Sequence, residues 1–192
     1  MNAHYGNAEK RQQIVETAYG LFKRNGFHAT GIDRIIADAG VAKMTMYRHF
    51  PTKDALIVEV LNYRSARFER QLDELNAATS SPSEKVAQIF DWYERWFRSS
   101  DFHGCVFQHA LAEFGDADDP VFEVAAAQKK SLKARIENIL SASMPPTSAS
   151  STATALLILL EGATLLAQMG QGEAAICEAR AAGALLVSAG AA

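Results

Sequence analysis

Several features that would place a chain in a structural class at once are rare or missing among these 192 residues. There are only two cysteines, Cys105 and Cys177, which are too few for a disulfide scaffold and suit a reducing compartment. The longest unbroken apolar run, residues 155–160, is too short to cross a bilayer, so we expect no membrane partner. Residues 1–11 are polar and lack the apolar core of a secretory signal, so we expect a cytoplasmic protein.

The alternation of β-branched and polar residues that is typical of strands is also missing. Apolar residues instead recur at spacings of three and four, and Gly and Pro fall between the segments. The pattern therefore predicts an all-α fold of about nine helices. The predicted helices span about 9–25, 31–39 and 42–49, a long fourth helix capped by Thr52, a fifth after the loop 76–83, a sixth over about 105–114, and then 120–140, 153–168 and 173–189.

Charge is distributed unevenly along the chain, although the formal net charge is only −3. Residues 1–54 contain 8 Lys and Arg against 5 Asp and Glu, whereas residues 55–192 contain 11 against 17. A basic end on an acidic body is typical of a protein that contacts phosphates with one end only.

Residues 30–50 contain two short predicted helices joined by a glycine turn, which is the arrangement of a helix-turn-helix. Thr30 and Asp33 have the spacing of an approximate capping box at the start of the first of these helices. Gly26 ends the helix before them, and Gly40 supplies a turn conformation that residues with a Cβ resist. The second helix then begins with small and polar side chains that can contact base edges.

The N-terminal third of the chain closely resembles the TetR/AcrR family of transcriptional regulators, in one unbroken register. The resemblance rests on Ile14, Ala18, Leu21-Phe22, Gly26-Phe27, Thr30-Gly31-Ile32, Ile35, the run Ala39–Lys43 and the run Thr45–Leu56. It implies a three-helix helix-turn-helix DNA-binding domain over residues 1–52, followed by a larger helical effector-binding and dimerisation domain over residues 53–192. It also implies a repressor, without enzymatic activity or cofactor, that a small molecule releases from a palindromic operator in double-stranded DNA.

Carried over position by position, the resemblance also implies which side chains contact DNA. Ala42, Lys43 and Met44 would lie at base edges, and Lys53 would bind a phosphate with help from the dipole of the fourth helix. The predicted DNA-contacting residues are Thr30, Ala42, Lys43, Met44, Thr45, Tyr47, Arg48, His49 and Lys53.

The family's plan further implies a homodimer formed through the last two helices and an effector cavity in the middle region. Pockets for small ligands are mostly apolar and aromatic, so we expect a small, partly hydrophobic effector, although the same aromatics also suit an ordinary core. The candidate effector-binding residues are Trp92, Trp96, Cys105, Phe107 and His109. The candidate dimer residues are Leu156, Leu157, Leu160, Ala163, Leu165, Leu166, Ala181, Ala184 and Leu185.

Alternative functions remain open for particular residues. Cys105 lies at the predicted start of a helix, where free N–H groups favour thiolate chemistry, so it is a candidate sensor of electrophiles or oxidants. His103, Cys105 and His109 are a candidate metal site that lacks a fourth ligand, and a small buried thiol is the simplest alternative. Residues 170–175 match a nucleotide-binding glycine pattern, but they follow a helix rather than a strand, which argues against an enzyme. A helical adaptor that binds protein would not need the phosphate-contacting residues.

Overall fold

The computed structural model describes residues 2–77 and 79–190, with side chains described from residue 7 onward. Over these ranges the chain forms nine α-helices and no strand, which confirms the predicted fold class. A π-helical turn, Ala167–Gln171, joins the last two helices. The helices are α1 (Asn2–Asn25), α2 (Ile32–Asp38), α3 (Lys43–His49), α4 (Lys53–Asn76), α5 (Pro82–Phe97), α6 (Val106–Glu113), α7 (Pro120–Leu140), α8 (Pro146–Leu166) and α9 (Gly172–Gly190).

Two helix starts differ from the prediction, since α1 begins at Asn2 and α8 begins at Pro146. The polar composition of residues 141–151 had predicted a loop as far as residue 151. Pro146 occupies the first turn of α8, where its missing N–H has no helical partner to lose. Ala149 and Ala153 are fully buried, so packing stabilises a helix that local composition does not predict.

The chain divides into two compact units. The first contains the residues up to Arg67 together with Cys105–Ala127, and the second contains Phe68–Gly104 together with the residues from Gln128 onward. The division falls inside α4 and α7, each of which contributes to both units. The domain boundary predicted between residues 52 and 53 stays a prediction.

Aromatic rings build the core of the first unit around the turn that follows α1. Gly26 has a φ of +83°, which confirms its predicted role in ending the helix and directs the chain back toward α1. The rings of Phe22 and Phe27 then lie 5.0 Å apart, and Phe114 meets Phe27 edge-on at 5.8 Å. All three side chains are buried, so α1, the turn and the end of α6 share one core.

The second unit packs α8 and α9 against α5. Val86, Ile89, Phe90 and Tyr93 of α5 are buried, as its apolar spacing predicts. A Cβ at Gly183 of α9 would lie 2.9 Å from Cζ of Phe90, so the absence of a side chain there permits this close helix packing.

Residues Pro146–Gly190 form the one helical stretch of the described chain that is long and apolar enough to cross a membrane. Gly170 has a φ of +81° and divides this stretch into α8 and α9, which pack against each other. Leu156 and Leu160 are buried in the chain's own core. The stretch is therefore a pair of packed helices, and part of its apolar surface is buried in that core.

Candidate nucleic-acid interface

The helix-turn-helix is anchored by buried side chains from each of its helices. Ile35 of α2 and Met46 of α3 are fully buried, and Gly40 between them has a φ of +61°, as the predicted turn requires. Gln13 of α1 donates from Nε2 to the carbonyl oxygen of Ala39 at 3.0 Å, which satisfies an acceptor at the end of α2. The start of α3 is therefore presented on a well-packed support.

The predicted capping box at Thr30 is wrong. The residue that caps α2 is Gly31, and no side chain accepts a hydrogen bond there. The Thr30 hydroxyl donates instead to the carbonyl oxygen of Gly26 at 2.7 Å, and only 3% of Thr30 is exposed. The turn after α1 brings that carbonyl within reach, so the hydroxyl stabilises the turn. The contact between Thr30 and a phosphate stays a prediction.

The first residues of α3 form an exposed face that is suited to base edges. Ala42 and Lys43 are exposed, and Met44 is the most exposed large apolar side chain described in the chain. Lys43 Nζ lies 3.2 Å from Oδ1 of Asp33, which lies on the first turn of α2. Thr45 is half-buried beside them. An apolar side chain such as Met44 can contact a thymine methyl group, and Lys43 can donate to guanine.

Polar groups that can contact phosphates follow on α3 and at the start of α4. Tyr47 is 39% exposed, which excludes a fully buried core role. Arg48 is exposed and donates from Nη2 to Oδ1 of Asn7 at 3.4 Å. Thr52 Oγ1 accepts from the backbone N–H of Ala55 at 3.1 Å, and this confirms that Thr52 caps α4. The cap places half-buried Lys53 in the first turn, where helix N–H groups favour anions.

His49 is half-buried at the end of α3, and its Nε2 atom has no hydrogen-bond partner among the described residues. Burial lowers the pKa of His49, and the positive charges of Arg48, Arg11 and Lys10 lower it further. The free protein therefore favours the neutral ring. A phosphate beside His49 would have the opposite effect, because a negative charge favours the protonated form.

Glu113 is a residue that the sequence analysis missed. It lies at the end of α6, and its two carboxylate oxygens accept hydrogen bonds from the backbone N–H groups of Phe27 and His28, at 2.9 and 2.6 Å. The His28 ring is also hydrogen-bonded to the Glu113 carbonyl oxygen at 3.0 Å. No local signal predicts a pairing across 85 residues. Glu113 therefore attaches α6 to the turn that leads into the helix-turn-helix.

The two candidate effector-binding tryptophans belong to the second unit and to a cluster of aromatic rings. Trp92 lies 4.6 Å from Phe68 and 5.4 Å from Trp96, measured between ring centroids. Trp96 in turn lies 5.0 Å from Phe102, and Trp92 donates from Nε1 to Gln71. Both tryptophans are half-buried, so part of each indole remains accessible.

The other three candidates belong to the first unit and lie on or beside α6. Cys105 is the residue that caps α6, and it is 7% exposed. Phe107 is buried, and burial lowers the pKa of half-buried His109, an effect that the negative charge of Glu113 opposes. No group of three His, Cys, Asp or Glu among the described residues can hold a metal ion, so the candidate site that added His103 to Cys105 and His109 is wrong.

Two clefts lie in the second unit, and neither is lined by a candidate effector-binding residue. The larger has a volume of about 550 Å³ and walls that are about equally polar and apolar, and the smaller has a volume of about 250 Å³ and lies beside the π-helical turn. The charged residues that line the larger cleft are Glu69, Lys85 and Arg135.

Two family descriptions match the chain over most of its length. "Bacterial regulatory proteins, tetR family" matches residues 14–60, and "Transcriptional regulator LmrA/YxaF-like, C-terminal domain" matches residues 82–182. The chain is 25% identical to the HTH-type transcriptional regulator LmrA of Bacillus subtilis over 165 residues, which are 84% of this chain and 87% of LmrA. It is 32% identical to the regulator YxaF of the same species over 83 residues, and that match spans only 43% of YxaF.

Solved structures of similar shape cover almost the whole chain. The structure of SCO4454, a TetR-family transcriptional regulator from Streptomyces coelicolor, has a TM-score of 0.91 and 25% identity, and it covers 96% of this chain and 97% of its own. A TetR transcriptional regulator from Chloroflexus aurantiacus has a TM-score of 0.85 at 20% identity and covers 96% of both chains. The second likeness is one of fold alone.

Proposed function

Since the chain belongs to the TetR family of bacterial regulatory proteins and is a DNA-binding transcriptional regulator, we propose that it represses transcription from a palindromic operator as a cytoplasmic homodimer. A small, partly hydrophobic effector releases it from that operator. The observation that carries the proposal is the exposed start of α3, with Lys43 and Met44, followed along the chain by the capped N-terminus of α4. Such a face supplies base-reading groups and phosphate-binding groups together.

The size of the recognition helix supports a dimer. Helix α3 has seven residues, and at 1.5 Å per residue it extends for about 10 Å. One turn of DNA is about 34–36 Å, so a single α3 can read only a half-site. Two copies related by a two-fold axis would read a palindrome, and their half-sites would lie one turn or a multiple of a turn apart.

An apolar stripe that runs from α8 into the π-helical turn supports the last two helices as the dimer interface. Ile158, Leu165 and Met169 follow each other at spacings of seven and four, so they share one helix face, and more than half of each is exposed. Gly162 is exposed in the same stripe and has no atom near its missing Cβ, and Leu185 of α9 is also exposed. Clustered exposed apolar side chains are typical of interaction surfaces.

The candidate dimer residues separate into a buried and an exposed group in the structure, with Leu157 half-buried between them. Leu156, Leu160 and Ala163 are buried within the chain's own core, so they stabilise the protomer and are not available to a second copy. These three side chains are buried because α8 packs against α5 and α9 of the same chain. The exposed candidates are Leu165, Leu166, Ala181, Ala184 and Leu185.

A dimerisation experiment tests this interface. Leu165→Arg combined with Leu185→Arg places two charges in the proposed contact, and we expect sedimentation to show monomers with much weaker operator binding. Lys130→Glu, at an exposed position on α7, is the control and should remain dimeric. A dimer that persists in the double variant would exclude this face. Flotation with vesicles tests the alternative that the apolar stripe binds a membrane.

The aromatic cluster of the second unit supports a partly hydrophobic effector. Trp92 and Trp96 are the two tryptophans of the sequence, and both are half-buried. Tryptophan fluorescence therefore reports directly on this cluster during effector screening. Effector binding should quench or shift the emission and should weaken operator binding. The factor by which the effector weakens operator binding should equal the factor by which the operator weakens effector binding, because linkage is reciprocal. A ligand that releases DNA without changing the emission would place the effector elsewhere.

A thiol sensor is a second candidate function, and the position of Cys105 favours it. Cys105 precedes the first turn of α6, and Glu113 at the other end of α6 holds the turn after α1. Because Cys105 is 7% exposed, a covalent adduct would have to displace the start of α6. Alkylation in a Cys177→Ser background, which removes the exposed thiol, tests this route. Unchanged DNA affinity after modification of Cys105 would exclude it.

Selection from random duplexes at several salt concentrations tests the main proposal. We expect the protein to enrich a palindrome. Tyr47→Ala and Lys53→Ala should each weaken binding to all sequences, and Lys53→Ala should also reduce the slope of log affinity against log salt by about one, because one phosphate is no longer neutralised. Lys130→Ala, which removes an exposed charge on α7, is the matched control. No enrichment at low salt, even after unfolding and refolding to remove bound ligand, would contradict DNA recognition by this face.

A further inference from the structure

An acidic residue lies on the face of the helix-turn-helix that is expected to meet DNA. Asp33 is on the first turn of α2, and its side chain is 79% exposed. Its Oδ1 atom lies 3.2 Å from Nζ of Lys43, the first residue of α3, which is 64% exposed. An exposed ion pair contributes little to stability, and a carboxylate near phosphates weakens non-specific binding. The dipole of α2 favours an acid in its first turn, but that contribution does not require the carboxylate to pair with Lys43.

We propose that Asp33 and Lys43 together read one base pair, so that Asp33 is a specificity-determining residue. In the major groove, every base pair presents one carbonyl oxygen and one exocyclic amino group. Those two groups are hydrogen-bonded to each other, so their O and N atoms lie about 2.9 Å apart. The Nζ and Oδ1 atoms of the ion pair are separated by 3.2 Å, which matches that spacing.

The chemistry of the pair favours G·C in one orientation. Lys43 can donate to both O6 and N7 of guanine, while Asp33 accepts from N4 of the paired cytosine. In the reversed orientation the ammonium would meet the cytosine amino group and the carboxylate would meet O6, so both contacts would be repulsive. A T·A pair also presents an acceptor to Lys43 and a donor to Asp33, but thymine, which carries the acceptor, lacks N7. We therefore rank G·C first, T·A second and the two reversed pairs last.

The ion pair also prepares Lys43 for binding. A long exposed lysine loses rotamer freedom when it is fixed against a base, and this loss weakens affinity. In the free protein Asp33 already holds the ammonium at the base-reading end of α3. Asp33 thus contributes twice to discrimination, through its own contact with cytosine and by positioning Lys43.

The inference rests on the proposed operator binding, and selection with variants separates the two. Wild-type protein should enrich G·C at one position of each half-site. Asp33→Ala should lower the preference at that position by about tenfold and leave the other positions unchanged. Asp33→Asn should admit adenine there, because an amide both donates and accepts. Asp38→Ala is the control, since it breaks the 2.8 Å ion pair with Arg34 on the same helix and removes the same charge.

The outcomes are distinguishable. If the wild-type protein enriches no sequence, the proposed function fails and this inference fails with it. If the wild type enriches an operator and Asp33→Ala has the same preference at every position, only the inference is overturned. Circular dichroism should show that the variant is folded, as expected for an exposed side chain. A folded Asp33→Ala protein that no longer binds any duplex would also overturn it, because lost discrimination should leave the phosphate contacts intact.

Discussion

Replacement of Glu113 by alanine removes the link between α6 and the turn after α1. The carboxylate accepts two backbone hydrogen bonds, from Phe27 at 2.9 Å and from His28 at 2.6 Å. Both bonds are charge-assisted, and such bonds contribute about 1.5–3 kcal/mol each when they are well shielded from water. Glu113 is half-buried and His28 is exposed, so water replaces part of what is lost. We therefore expect Glu113→Ala to lower the free energy of unfolding by about 2–3 kcal/mol.

Thermal and urea denaturation measure this change. For a chain of this length, each kcal/mol moves the Tm by about 2–4 °C, so the expected decrease is about 4–12 °C. Glu113→Gln keeps one acceptor oxygen and should give an intermediate decrease. Glu74→Ala, at an exposed position on α4, controls for the loss of a glutamate from a helix. The reasoning is refuted if Glu113→Ala destabilises the protein no more than Glu74→Ala does.

The remaining predictions concern pH and packing. Operator affinity at constant salt should rise as the pH falls from about 8 to 6, because a phosphate favours the protonated ring of His49. The rise should be at most about tenfold per pH unit, which corresponds to one proton bound with the DNA. His49→Gln should make operator affinity less dependent on pH. The free protein should lose stability below about pH 6.5, measured by urea denaturation, because the lowered pKa of His49 means that the unfolded chain takes up the proton first. Gly183→Ala should destabilise the second unit by about 1–3 kcal/mol, because its Cβ would lie 2.9 Å from the Phe90 ring. A Cβ at Gly20 of α1 would meet only the guanidinium of Arg24, at 3.5 Å, so Gly20→Ala should instead raise stability by up to about 1 kcal/mol; equal urea midpoints for the two variants would contradict the packing argument.

The position of α6 in the first unit explains how an effector bound there would affect the helix-turn-helix. Cys105, Phe107 and His109 lie on or beside this helix, and Glu113 at its end holds the turn that precedes α2. A ligand or adduct that displaces α6 would therefore disturb the backbone N–H groups of Phe27 and His28. Comparison of effector-dependent DNA release between wild type and Glu113→Gln would measure how much of the coupling passes through this contact.

The features that the sequence alone determined are those that depend on neighbours within a few residues. The spacing of apolar residues predicted most of the helices, and Gly26 and Gly40 marked turns that indeed have positive φ. Thr52 was predicted to cap α4 and does so. Helical periodicity, capping and glycine turns are governed by contacts between residues up to about four apart, so a single sequence displays them.

Only the folded structure decided three other features, and two of them depend on residues far apart in the chain. Thr30 looks like a helix cap in the sequence, but the turn that leads from α1 brings its hydroxyl to the Gly26 carbonyl. Glu113 looks like an ordinary helix glutamate until the fold places it against backbone that lies 85 residues earlier. The polar start of α8 looks like a loop, yet Ala149 is buried in a core that only distant helices can supply. In each case the folded backbone creates the deciding environment, and for Glu113 and Ala149 the partners are remote in sequence, so only the folded chain brings them together.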